Sequence, residues 1–142
     1  MIHFQLVALT GTKFDGDVYE VVIPTLDGDI GVLQDHMPLV SVAKTGAIAV
    51  RKESRDADRD LEYFAISGGV VEVSNNTLRV LVDEADKAED INEAEAKEAM
   101  ERAQQLKSEA KDELSLEHAQ QLVDRHAVRL QIAGLKRHHQ KR

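Results

Sequence analysis

The chain has 142 residues, 42% hydrophobic and 31% charged, which suits one globular domain or a small domain with an appendage and argues against wholesale disorder. It has no cysteine, so disulfides, thiolate metal sites and cysteine nucleophiles are excluded; a metal would need histidine and carboxylates alone. A formal charge of −8 argues against a nucleic-acid binder, and the absence of both a ~20-residue apolar run and a secretory leader points to a cytosolic chain.

Up to residue 85, apolar and β-branched residues come in short runs, at 2–9, 18–23, 30–33, 39–43, 47–50, 61–66, 70–73 and 78–82. Between them stand Gly11, Asp15-Gly16, Asp27-Gly28, Thr45-Gly46, Gly68-Gly69 and Asn75-Asn76, residues that supply the positive φ of tight connections. Many short strands at roughly ten-residue spacing predict an antiparallel β-sandwich or barrel. The mixed charge run 51–60 reads as a solvated hairpin tip.

From Ile91 the period changes. Ala96, Ala99, Met100, Ala103, Leu106 and Ala110 recur at the spacing of one helix face, and Asn92 with Glu95 three residues later is a capping signal. After a polar link at 107–115, a second face runs through Ala119, Leu122, Val123, His126, Ala127, Leu130 and Ala133, widened by Val128, Ile132 and Leu135. The prediction is an α+β chain: an N-terminal antiparallel β-sandwich over 1–85, then a C-terminal antiparallel α-helical hairpin over 86–142. An alanine face buries little area, so the hairpin should be loosely held.

Charge divides the same way. Residues 1–85 hold 7 Lys+Arg against 14 Asp+Glu, net −7; residues 86–117 hold 5 against 11, net −6; residues 118–142 hold 6 against 1, net +5. All five aromatics, both prolines and seven of eight glycines precede residue 85.

Known catalytic patterns are missing. Gly11-Thr12-Lys13 has a phosphate loop's letters in the wrong order, and Asp27-Gly28-Asp29-Ile30-Gly31 starts like a calcium loop but loses the third oxygen ligand at Gly31. His118 and His126, eight residues apart on a helix, stand ~12 Å apart, too far for one metal, and His138-His139 lies in a basic tail.

The combination Phe14-x-Gly16-x-Val18, Pro24-Thr25-x-x-Gly28-Asp29-x-Gly31-Val32-Leu33-x-x-His36-x-Pro38-Leu39, Gly46, Ser67-Gly68-Gly69-x-x-Glu72-Val73 and Asp83-x-Ala85 closely resembles the epsilon subunits of the bacterial rotary ATP synthase. Chloroplast epsilon and mitochondrial delta subunits share that plan, and the resemblance covers the whole chain. It implies a non-catalytic subunit without a cofactor, held on the central rotor by the gamma subunit and the c-ring, and so peripheral to the cytoplasmic face of a bacterial plasma membrane through the complex. Carried over by position, the rotor and c-ring contacts are Asp29, Ile30, Leu33, Asp35 and His36, with Asp29 and Leu33 near the ring and His36 near gamma. Gln34-Asp35 replaces the family's usual Pro-Gly. Asp35 can take a positive φ at low cost, which keeps the loop shape.

In bacterial relatives the hairpin lies folded or extends toward the alpha and beta catalytic subunits and blocks ATP hydrolysis. As one continuous helix, residues 92–136 would reach ~68 Å. Arg125, Arg129, Lys136 and Arg137 are then the expected inhibitory contacts. Some relatives also bind ATP through a motif matching Ile91-Asn92-Glu93-Ala94-Glu95-Ala96; here Glu95 stands in place of its arginine, so a role for Ile91, Asn92, Glu95 and Ala96 in nucleotide binding is disfavoured. Two alternatives lie outside rotor function: a sandwich-plus-hairpin adaptor or chaperone, and an ATP sensor.

Overall fold

The structure, a computed structural model, describes residues 1–140, with side chains as far as Arg137; the His138-His139 pair falls outside the described side chains. Eight strands come first: β1 (Ile2–Ala8), β2 (Gly11–Val18), β3 (Glu20–Thr25), β4 (Gly28–Leu33), β5 (Leu39–Arg51), β6 (Glu62–Ser74), β7 (Thr77–Val82) and β8 (Ala85–Lys87). Helices α1 (Glu93–Glu109) and α2 (Glu113–Gln140) follow. Hydrogen bonding links the strands in the order β2-β1-β7-β6-β5-β3-β4, with β8 on β6; pairing is antiparallel except between β1 and β7. The β-sandwich and the helical hairpin are thus both present. One core unites the strands: Ile2, Phe4 and Leu6 of β1, Val18 of β2, Ile23 of β3, Val32 of β4, Ile48 of β5, Phe64 of β6, Val80 of β7 and Ala85 of β8.

Some expected turns are not turns. Asp15-Gly16 lies inside β2, a polar edge strand that has no apolar run to announce it and is held by backbone pairing to β1. Thr45-Gly46 and Gly68-Gly69 lie inside the two 13-residue strands. At Gly46 the reason is close approach, since a Cβ there would stand 2.8 Å from Cγ of Pro24. Asn75 (φ 51°) and Asn76 (φ 56°) do form the expected tight turn, between β6 and β7, with the two consecutive positive φ angles of a primed hairpin.

The helices run further into the linking stretch than their apolar spacing implies, leaving only residues 110–112 between them. Asn92 caps α1 as expected, its Oδ1 accepting from the Glu95 amide at 3.0 Å. Asp112 does the same for the Ser115 amide at 2.7 Å, which holds its carboxyl below the usual range.

The hairpin is folded against the sandwich. Phe64, Ala65 and Ile66 are buried in succession because β6 is covered on both sides: Phe64 and Ile66 face the sandwich core, whereas Ala65 meets Ile132 of α2 and Ala88. Val128 and Ile91 pack at the edge of this second cluster. Fully burying Ile132 contributes roughly 1.5–3 kcal/mol, so docking relies on a branched side chain against the sheet as well as on the alanine face between helices.

Candidate functional site

Three surfaces carry the chemistry. The first is the turn ending β4. Gly28 (φ 108°) closes the β3–β4 hairpin, where the Thr25 hydroxyl donates to the Gly28 carbonyl at 2.5 Å. Asp29 projects into solvent, Ile30 packs partly on the core and Leu33 is exposed. Asp35 takes φ 60°, the left-handed conformation expected for it. Its amide donates to Asn76 Oδ1 at 2.9 Å, and Asn76 Nδ2 donates to the Met1 carbonyl at 3.0 Å, so the turn is tied to the β6–β7 turn and to the start of the chain. The His36 amide closes the turn on the Leu33 carbonyl at 3.1 Å. His36 Nδ1 lies 2.7 Å from the Met37 carbonyl, and since a carbonyl only accepts, Nδ1 carries the proton. Leu33, Asp35 and His36 therefore share one braced, mostly exposed turn, whereas Asp29 and Ile30 lie toward the other end of β4, paired with Pro24 and Ile23 of β3. The bond to Asn76, in the turn that follows Val73, sets Asp35 beside the Leu39–Val73 end of the β5–β6 pair, whereas α2 docks further along that pair at Ala47 and Ala65.

The second surface escaped the sequence reading. Register sets Val42 opposite Val70, Val70 opposite Leu81, and Leu81 opposite Val7, a row of apolar side chains across β5, β6, β7 and β1 on the outer face. Val42 is 51% exposed, Val70 45% and Leu81 43%. One step along the strands Val40, 73% exposed, stands opposite Glu72; Glu72 faces Arg79, and Arg79 donates to Gln5 at 3.2 Å, making a polar rim. A half-solvated strand alternates apolar with polar. The signal was in Val70-Val71 and in Leu81 between Val80 and Val82, where that alternation fails.

The third surface lies between α2 and the segment leaving the sandwich. Arg125 pairs with Glu84, and its Nη2 also lies 3.9 Å from Asp86. Arg129 Nε is 3.1 Å from Asp86 Oδ2, an ion-pair distance without hydrogen-bond alignment. Lys136 reaches Glu89 at 3.1 Å and donates to the Leu61 carbonyl at 3.0 Å; Arg137 reaches Glu93 at 2.6 Å. Basic residues 125, 129, 136 and 137 thus meet acidic residues 84–93 in the same order, as an electrostatic latch. Pairs of this exposure each contribute about 1 kcal/mol or less, so the latch is reversible.

The nucleotide candidates are scattered over other duties. Asn92 caps α1, Ala96 is fully buried, Ile91 packs in the second cluster, and Glu95 is exposed. Calorimetric titration with ATP is expected to show no micromolar site; such a site in the unsubstituted chain would contradict this, and Glu95→Arg is expected to tighten whatever weak binding remains.

Residues 1–88 match the family model for the ATP synthase delta/epsilon chain beta-sandwich domain. The chain belongs to the ATP synthase delta/epsilon family. It is 34% identical over 137 residues to the ATP synthase epsilon chain of Sulfurihydrogenibium sp. (strain YO3AOP1), covering 96% of this chain and 99% of that one. Identity to the epsilon chain of Thioalkalivibrio sulfidiphilus is 35% over 137 residues, covering 96% and 95%. Among solved structures, a chain in the Euglena gracilis mitochondrial ATP synthase superposes with a TM-score of 0.75 at 24% identity, covering 94% of this chain and 81% of that one. A chain of the Tetrahymena thermophila mitochondrial ATP synthase central stalk and c-ring gives 0.58 at 14%, covering 92% and 95%. Those two likenesses concern the fold. The delta/epsilon family thus accounts for both parts of the molecule, because the curated relatives match across the hairpin as well as the sandwich.

Proposed function

We propose that this chain is the non-catalytic epsilon-type subunit of the central stalk of a proton-translocating ATP synthase, coupling the catalytic head to the c-ring and restraining ATP hydrolysis through its hairpin. The observation that carries the coupling role is the exposed apolar row Val42–Val70–Leu81 with its polar rim, on a sandwich whose relatives are epsilon chains. An apolar centre ringed by polar groups is the anatomy of a protein interface, and the gamma subunit is its partner. Asp29 at the start of β4 and the braced turn holding Leu33 and Asp35 face the c-ring, and His36 the gamma side. The sandwich works as the rotor-binding unit and the hairpin as the regulatory one, meeting beyond residue 85. In this reading the protein is peripheral to the cytoplasmic face of a bacterial plasma membrane, held there by the complex.

The test is reconstitution of an ATP synthase depleted of its epsilon subunit, read as ATP-driven proton pumping. The unsubstituted chain restores pumping. Val70→Lys combined with Leu81→Glu, opposite charges on a directly opposed outward pair, leaves the unfolding midpoint nearly unchanged and weakens incorporation at least tenfold, as expected when charge is placed in an interface centre. Full incorporation of the double variant would remove this surface from the rotor contact.

A further inference from the structure

Where α2 passes between α1 and the sandwich it buries an imidazole. His126 is 9% exposed, one of only two buried polar residues identified among the described residues. Its Nδ1 lies 3.2 Å from Arg129 Nη1. A guanidinium can only donate, so Nδ1 holds the lone pair, Nε2 holds the proton, and the ring is neutral in this packing. Every neighbouring element contributes charge: Arg125 and Arg129 from α2, Arg102 from α1, and Glu84 from the segment after β7. Glu84 is already engaged by Arg125, and Asp86 by Arg129. Burial, then Arg129 and Arg125, hold the imidazole below its ordinary 6.5.

We propose that His126 is a proton-operated clasp: taking a proton from water at Nδ1 breaks its hydrogen bond with Arg129, adds a cation among Arg102, Arg125 and Arg129, and frees α2 from the acidic strip. The docked hairpin carries the neutral ring; the released hairpin carries a ring with an ordinary affinity for protons. Docking is therefore fully favoured above about pH 6.5 and weakens as pH falls through the depressed value in the docked form. One proton changes the released-to-docked ratio by at most about tenfold per pH unit. The inference concerns docking itself and stands whether or not the extended hairpin inhibits hydrolysis.

Because the chain has no cysteine, Ser74→Cys on the sandwich and Gln131→Cys on α2, both exposed, accept a fluorescent donor and acceptor in the full chain. Between pH 7.5 and 5.5 the long-distance population is expected to rise, beginning near 6.5. His126→Gln is expected to abolish that rise, while His118→Gln, at an exposed position on the same helix, leaves it intact. Nitrogen-detected imidazole spectra of the unsubstituted chain provide a check that needs no His126 variant: a neutral Nε2-protonated ring at pH 7, titrating below 6.5 together with the distance change. A pH-independent distance, the same profile in His126→Gln, or a His126 titration at or above 6.5 would overturn the proposal.

Discussion

Deleting residues 91–142 is expected to raise ATP hydrolysis by a reconstituted complex several-fold while leaving incorporation intact. The cut falls there because β8 (Ala85–Lys87) pairs with β6, so ending the chain before residue 85 would remove a strand of the sandwich. Substitutions at the latch divide into two classes with opposite signs. Arg125→Ala with Arg129→Ala removes the side chains that would meet acidic catalytic subunits, and also their pairs with Glu84 and Asp86, so hydrolysis rises less than on deletion. Glu84→Gln with Asp86→Asn weakens only the folded state. Two partly exposed pairs at about 1 kcal/mol or less each shift the released population by up to roughly thirtyfold, and hydrolysis falls. High salt should shrink both effects, because the pairs lie near the surface. ATPase assays of the four complexes at low and high salt decide the matter: equal rates with the full-length and truncated chains at low salt would end the inhibitory reading, and a rise on neutralising Glu84 and Asp86 would end the latch.

Replacing Gly69 with valine is expected to cost the sandwich about 3 kcal/mol or more, visible as a large drop in the urea unfolding midpoint. A Cβ at this position would lie 2.0 Å from the Leu81 carbonyl oxygen and 2.9 Å from its carbonyl carbon, backbone that cannot swing away as a side chain can. The backbone also sits at φ 152°, inside the region that favours glycine. Gly11→Ala is the control: φ is 134° there too, but a Cβ would meet nothing within 4 Å, so conformational strain is the whole cost and the drop should be much smaller. Equal losses at the two positions would show that contact with Leu81 is not what makes Gly69 necessary.

Local pattern was enough for a good part of this molecule. The change from short apolar runs to three-and-four spacing at Ile91 announced sandwich and hairpin, because side-chain periodicity is set by the geometry of each element alone. Asn92 as a cap and the Asn75-Asn76 turn were legible for the same reason, each depending on the backbone within a few residues, whereas the positive φ of Asp35 followed from the family resemblance. Pairing across the chain was not legible. Nothing within β2 marks it as a strand, since its place comes from the hydrogen bonds of β1; glycines at 46 and 69 look like turns until Pro24 and Leu81 are brought against them. The basic residues of α2 read as free charges seeking a partner, yet in the fold they are answered by residues 84–93, about forty positions earlier. The exposed row on β5, β6, β7 and β1, and the neutral ring of His126 among arginines, exist only because register and docking place distant side chains side by side. Composition and spacing record what each segment prefers, whereas a surface or a shifted proton affinity depends on neighbours that only the tertiary structure supplies.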